Sequence, residues 1–250
     1  MKLGMTSLTL RNCSPREVID YAVEAGLQGI EWGETDSHVV IGDLERARCI
    51  CDMCQSASID SFALGSYCRM EDISDATELV KTAEALGTDV IRVWAGTKSP
   101  CECDDAYMDL IVTNTRTLAD IADGLGIKIA FEFHGDTLTE TAESAIELIK
   151  LIDRANVALY WQPDFKLDSV ENLAARNKVL PYCIGNMHIQ NYSPDSGYGL
   201  LEEIKDKLIK YYGDIKDKPY NLMIEFVKDG TAENLIKDAD ALKKVIREKN

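Results

Sequence analysis

Several features are scarce or missing in this 250-residue chain. Cations are the minority: 27 Lys and Arg stand against 43 Asp and Glu, a formal net charge of −16. Clustered cations carry non-specific affinity for nucleic acid and for anionic membranes, so neither is expected as the main partner. A local basic pocket for a small anion stays compatible with this balance. No run of about 18 apolar residues exists, so no membrane span is expected. Met1-Lys2-Leu3-Gly4-Met5-Thr6 has no apolar signal-peptide core and reads as a first strand. No G-x-G-x-x-G follows an early strand, which argues against an open dinucleotide-binding sheet. The eight cysteines form no zinc-type pairs: Cys49, Cys51 and Cys54 fall in a helical pattern, and Cys101 and Cys103 flank Glu102 in a loop. Without an export signal they read as free thiols of a cytoplasmic protein.

What is present is a regular alternation. Apolar runs at 3–8, 29–32, 59–64, 90–94, 127–133, 157–161, 183–189 and 222–227 are separated by amphipathic segments near 15–25, 43–57, 74–86, 104–125, 140–153, 168–178, 200–212 and 232–247. Strand–helix alternation implies parallel strands joined by right-handed crossovers. Eight units in 250 residues point to an α/β fold, a (β/α)8 TIM barrel, with one domain over 1–250. Ser14-Pro15-Arg16-Glu17 predicts a capping box with proline at the first helical position. Thr137 with Glu140 predicts another before the fifth helix. Gly26, Gly87 and Gly126 follow helical stretches as left-handed caps.

Side chains alternate faces along a strand. In the fifth run, Ile129, Phe131 and Phe133 oppose Ala130, Glu132 and His134. In the eighth, Leu222, Ile224 and Phe226 oppose Asn221, Met223 and Glu225. The seventh sets Asn186, His188 and Gln190 on one side, the sixth Ala158, Tyr160 and Gln162, the fourth Arg92, the second Glu31. Each inward set turns polar late in its strand, at the C-terminal mouth where barrel enzymes hold their sites. The same parity turns Trp32, Trp94 and Trp161 outward. An ionic plug of Arg92 with the carboxylates is one reading, but one arginine does not balance three carboxylates. A divalent cation does. Glu132 and Glu225 offer hard oxygen, His188 an imidazole nitrogen and Gln162 a neutral carbonyl, a donor set for Mn²⁺, Mg²⁺, Co²⁺ or Zn²⁺.

Gly29-Ile-Glu-Trp, Ile91-Arg-Val-Trp-Ala-Gly, Phe131-Glu-Phe-His with Thr137-Leu-Thr-Glu-Thr, Asn186-Met-His-Ile-Gln-Asn and Ile224-Glu-Phe together resemble the xylose-isomerase-like TIM-barrel superfamily along the whole chain. That superfamily includes sugar epimerases, inosose and 3-dehydroshikimate dehydratases, and an apurinic-endonuclease branch. The resemblance implies a metal set of Glu132, His188 and Glu225 and a fourth ligand from the sixth strand. There the usual Asp and His are replaced by Gln162 and Phe165, with Asp164 as the alternative ligand. Gln190 stands where many relatives carry Lys. Three histidines are too few for the multi-zinc endonuclease centre.

The resemblance implies a metal-dependent sugar or polyol isomerase or epimerase working through an enediolate. Glu132 and Glu225 exchange the proton, His134 serves as base or proton relay, and Arg92, Glu31 and Gln190 contact substrate. A dehydratase of the 3-dehydroshikimate or inosose type is the alternative, and a metal-free sugar-binding barrel a third reading. The expected partner is a small sugar or polyol, and a homo-oligomer is compatible with the family.

Overall fold

Every apolar run of the sequence is a strand, and every amphipathic segment after it a helix. The computed structural model describes residues 1–247. Its strands are β1 (Lys2–Thr6), β2 (Gly29–Gly33), β3 (Asp60–Gly65), β4 (Val90–Val93), β5 (Lys128–Glu132), β6 (Val157–Trp161), β7 (Cys183–Ile189), a short hairpin of β8 (Tyr192–Ser193) and β9 (Gly197–Tyr198), and β10 (Asn221–Ile224). All but the hairpin pair in parallel into a closed eight-stranded barrel, in which β10 lies between β7 and β1. The helices are α1 (Pro15–Glu24), α2 (Leu44–Ala57), α3 (Ala76–Leu86), α4 (Asp105–Asp123), α5 (Ala142–Ile152), α6 (Ser169–Val179), α7 (Lys205–Tyr212) and α8 (Ala232–Arg247). This is a (β/α)8 TIM barrel.

Local chemistry sets the helix ends. The Ser14 amide donates to Glu17 Oε2 at 2.7 Å, the Glu17 amide donates back to Ser14 Oγ, and Pro15 opens α1. Gly87 closes α3 at φ +74°, and a Cβ there would sit 2.7 Å from Cys51 Sγ. The box predicted at Thr137 and Glu140 is displaced. Thr137 Oγ1 donates to the His134 carbonyl at 2.7 Å, and Glu140 Oε2 accepts from Ser99 Oγ at 2.6 Å. The cap of α5 is Thr141, boxed with Ser144.

Strand alternation divides two apolar layers. Outward side chains such as Trp32, Ile91, Phe131, Trp161, Met187 and Ile224 pack beneath the helices in the main core. Inside the barrel a smaller cluster holds Phe62, Ala63, Val90, Ala130, Tyr160 and Met223. Phe62 fits because Gly4 and Gly29 lack side chains; a Cβ on Gly4 would lie 2.6 Å from its ring. All eight cysteines are free, and no described helix is long and apolar enough to cross a membrane.

Candidate metal and active site

One pleat above the apolar plug, the same inward faces become polar. Arg92 follows Val90, Glu132 follows Ala130, Gln162 follows Tyr160, His188 follows Asn186 and Glu225 follows Met223, while β2 adds Glu31. All six are buried, between 0% and 7% exposed. Gly65 makes room for the assembly, since a Cβ there would meet Glu31 Oε1 at 2.7 Å and an Arg92 nitrogen at 2.9 Å.

Glu132, His188 and Glu225 each turn one ligand atom into a space where these atoms lie within 4.8 Å of one another. His188 Nε2 faces Glu31 Oε2 at 3.2 Å, leaving Nδ1 toward Glu132 Oε1 at 3.4 Å and Glu225 Oε2 at 3.6 Å. Nδ1 has no hydrogen-bond partner, and neither does the buried Gln162 Oε1. A carboxylate behind the outer imidazole nitrogen fixes the tautomer whose other nitrogen coordinates a cation. Buried polar atoms normally find partners, so two unpartnered lone-pair atoms beside two carboxylates fit a divalent cation. The oxygen and nitrogen set suits the hard to borderline ions expected from sequence. Gln162 Nε2 donates to Glu132 Oε1 and to the Phe133 carbonyl, both at 3.0 Å. Asp164 is turned to its own loop, where its Oδ1 accepts the Lys166 amide at 2.8 Å. Gln162, and not Asp164, is therefore the sixth-strand side chain that lies beside the cluster.

Arg92, expected to hold a substrate group, is directed to protein carboxylates instead. Its Nε lies 3.3 Å from Glu31, another nitrogen lies 3.3 Å from Glu132, and it donates to the Ser66 carbonyl at 3.0 Å. Glu31 is the anchor of His188 and Arg92. Gln190 donates to Glu225 Oε2 at 3.3 Å. His134 lies beyond the end of β5, half-buried, and its ring stacks on Trp94 with centroids 5.1 Å apart. His38 is structural, bonded to Ser7 Oγ at 2.9 Å and the Cys13 carbonyl at 3.1 Å.

Burial and neighbouring charge oppose one another here. Burial would raise the Glu132 carboxyl, but Arg92 and His188 more than offset it and hold it well below the usual carboxylate range. Burial also opposes ionisation of Glu31, and His188 with Arg92 outweighs it, lowering that carboxyl. Glu225 lacks such close cationic support; burial, reinforced by Glu132 against His188, pushes it up to about 7. Burial disfavours charged His188, yet Glu225 and Glu31 raise the imidazole well above its ordinary value.

Trp94 was placed outward by strand parity. It stands instead at the mouth, because β4 ends at Val93 and the Trp94 amide leaves the barrel to bond the Cys68 carbonyl at 2.9 Å. Its indole Nε1 donates to Glu132 Oε2. The signal available in sequence was only its place immediately after Arg92-Val93. Trp32 and Trp161 are fully buried in the outer layer as expected.

The model for xylose isomerase-like TIM barrels matches residues 19–192. The chain belongs to this family. Within it, the chain is 21% identical over 169 residues to a 3-dehydroshikimate dehydratase of Bacillus anthracis, covering 64% of this chain and 60% of that one. A probable L-ribulose-5-phosphate 3-epimerase of Mycoplasma pneumoniae is 29% identical over 141 residues, 55% of this chain and 46% of that one. The matches thus span about half to three fifths of these relatives' lengths. Among solved structures, the IOLI protein with a bound zinc atom superposes with a TM-score of 0.75 at 18% identity, over 98% of this chain and 99% of that one. At that identity the likeness is one of fold.

Proposed function

We propose that this protein is a divalent-metal-dependent isomerase or epimerase of a sugar or polyol, working by proton transfer through an enediolate. The observation that carries the reading is the convergence of Glu132, His188 Nδ1 and Glu225 beside an unpartnered Gln162 Oε1. A divalent cation held there, Mn²⁺, Mg²⁺, Co²⁺ or Zn²⁺, supplies Lewis acidity that acidifies the proton beside a bound carbonyl group. The two glutamates are held differently. Glu132 is clamped by Trp94, Gln162 and Arg92 and keeps its charge. Glu225 accepts a hydrogen bond from Gln190 alone among the described residues, just past the end of β10, so its carboxylate is the freer one to take and return a proton. His134, half-exposed at the mouth, is placed to relay a proton between substrate oxygens. Arg92 and Glu31 position Glu132 and His188 and do not meet substrate.

Every one of these groups comes from a single chain, so a homo-oligomer is not needed to complete the site. The eight free thiols support a reducing, cytoplasmic setting. The similarity to a 3-dehydroshikimate dehydratase favours a second reading, in which the same proton abstraction is followed by loss of water. One experiment separates the readings: Mn²⁺ titration of the metal-free protein, then a panel of ketoses and cyclic polyols in deuterated water. Deuterium entering the product without dehydration supports the isomerase or epimerase, and loss of water supports the lyase. Absence of Mn²⁺, Mg²⁺, Co²⁺ and Zn²⁺ binding overturns both and leaves a sugar-binding barrel.

A further inference from the structure

The connection from β3 to α3 presents an arginine the proposed reaction has not used. Arg69 lies with its guanidinium carbon 3.9 Å from the centroid of Trp94, the indole that donates to Glu132. The guanidinium makes no hydrogen bond or ion pair among the described residues. The obvious partner, Glu71, is engaged elsewhere: its Oε1 accepts from Thr97 Oγ1 and from the Tyr107 hydroxyl, both at 2.6 Å. In a chain with 43 acidic residues and a net charge of −16, a mouth cation that acts on Glu71 through its field but forms no ion pair among the described residues is conspicuous.

Its placement is built into the backbone. The Arg69 carbonyl accepts the Gly96 amide at 2.8 Å, and the preceding Cys68 carbonyl accepts the Trp94 amide at 2.9 Å. The next residue, Met70, is fully buried at φ +65°, a left-handed conformation uncommon for a non-glycine residue. Asn114 Nδ2 holds the Met70 carbonyl at 2.8 Å. Backbone strain of this kind persists where surrounding contacts enforce it and is concentrated at functional positions. Here it anchors Met70 in the core and leaves Arg69 on the indole.

We propose that Arg69 binds the oxyanion of the substrate, a carboxylate or phosphate, while the carbonyl end of the same molecule lies at Glu132 and Glu225. This deepens the proposed function and rests on it for the identity of the molecule as substrate. The geometry assigns Arg69 because Arg92 is committed to Glu31 and Glu132. The guanidinium offers a planar fork of donors matched to an oxyanion. It lies one indole away from Glu132, a separation a short sugar chain spans. A strongly acidic protein repels anions over its surface, so an anionic substrate needs such a local cation.

The test uses metal-free protein at fixed ionic strength, with tryptophan fluorescence as the readout. Trp32 and Trp161 are fully buried, so quenching or enhancement by a ligand at the mouth reports Trp94. Two matched pairs are titrated: a pentose 5-phosphate against the same pentose, and a cyclic polyol carboxylate against its methyl ester. At least one anion is expected to bind about tenfold to a hundredfold more tightly than its neutral partner. Arg69→Met is expected to remove that gap, and Arg69→Lys to retain part of it. The pair with the larger gap identifies phosphate or carboxylate. No gap in the wild type, or an equal gap in Arg69→Met, overturns the assignment. Thermal melts of both variants establish that they are folded, and the lysine variant keeps the test readable if the methionine variant is not. Because no metal is present, failure of Mn²⁺ binding in a separate titration sinks the proposed reaction without touching this result.

Discussion

The barrel interior has two floors separated by one pleat. The lower floor holds Val90, Ala130, Tyr160 and Met223 around Phe62, and it is a packed hydrophobic plug. The upper floor holds Arg92, Glu132, Gln162 and Glu225 from the same strands or their immediate continuations, with His188 and Glu31, all of them buried polar or ionisable side chains. The same strands therefore serve two purposes at positions only two residues apart. Below, groups gain by excluding water and filling volume. Above, groups of opposing charge are taken out of water and depend on one another, so removal of any one leaves another unpaired.

The largest effect expected from breaking this division lies on the upper floor. Glu132→Gln and Glu225→Gln each remove a ligand charge at nearly constant volume. Each should lower turnover by at least about a hundredfold and weaken Mn²⁺ binding, while circular dichroism shows a folded barrel. Wild-type turnover in either would reject the two-glutamate mechanism. The converse experiment is Phe62→Ala on the lower floor. It should cost about 3–5 kcal/mol in denaturant unfolding and leave Mn²⁺ affinity of the folded fraction unchanged. Loss of affinity in a folded Phe62→Ala protein would show that the floors are not separable.

A smaller change sharpens the fourth ligand. Gln162→Glu adds a carboxylate at constant length and should bind Mn²⁺ about tenfold more tightly, although a less electrophilic ion can then turn over more slowly. Calorimetry at one pH decides the point. Equal affinities, with loss of binding in Asp164→Asn, would move the ligand to Asp164.

The smallest effect concerns a buried carboxylate outside the barrel. Asp238 on α8 accepts the Leu201 amide at 2.8 Å, while its Oδ2 has no partner. Burial pushes its carboxyl up to about 6. With the folded value raised, its favourable contribution is present at pH 4 and below and is lost as pH rises through about 6. Asp238→Asn should therefore stabilise the protein by on the order of 1 kcal/mol at pH 7.5 and hardly at all at pH 4. A pH-independent difference would remove ionisation as the cause.

The two floors were legible in the sequence because strand alternation has a period of two and survives without knowledge of neighbours. That is why Glu132, Gln162, His188 and Glu225 were named together before their convergence was visible. Strand ends were less legible. Trp94 escaped the parity rule because its amide bonds Cys68 rather than a barrel strand. The α5 cap moved from Thr137 to Thr141 because Thr137 and Thr139 bond back to the His134 and Glu132 carbonyls. The charge environment was hidden for another reason: the fold brings His188 to both Glu31 and Glu225, whose charges raise its imidazole above its ordinary value. Such pairings depend on which strands are neighbours, and no local pattern encodes them. The accommodation of Phe62 by Gly4 and Gly29 is equally non-local.

The closure of the ring has a consequence in time. β10 pairs with β1 in the register Lys2↔Asn221, Leu3↔Leu222, Gly4↔Met223 and Met5↔Ile224, joining the first barrel strand in chain order to the last. Glu132 and His188 emerge earlier, but Glu225 arrives at the end of the closing strand. Non-local pairings of this kind form slowly, and long chains fold by stages. A nascent chain that has released everything through β7 therefore carries Glu132 and His188 but lacks Glu225. The proposed cation site is therefore complete only when the last strand docks, so Mn²⁺ binding by the folding chain would report completion of the barrel.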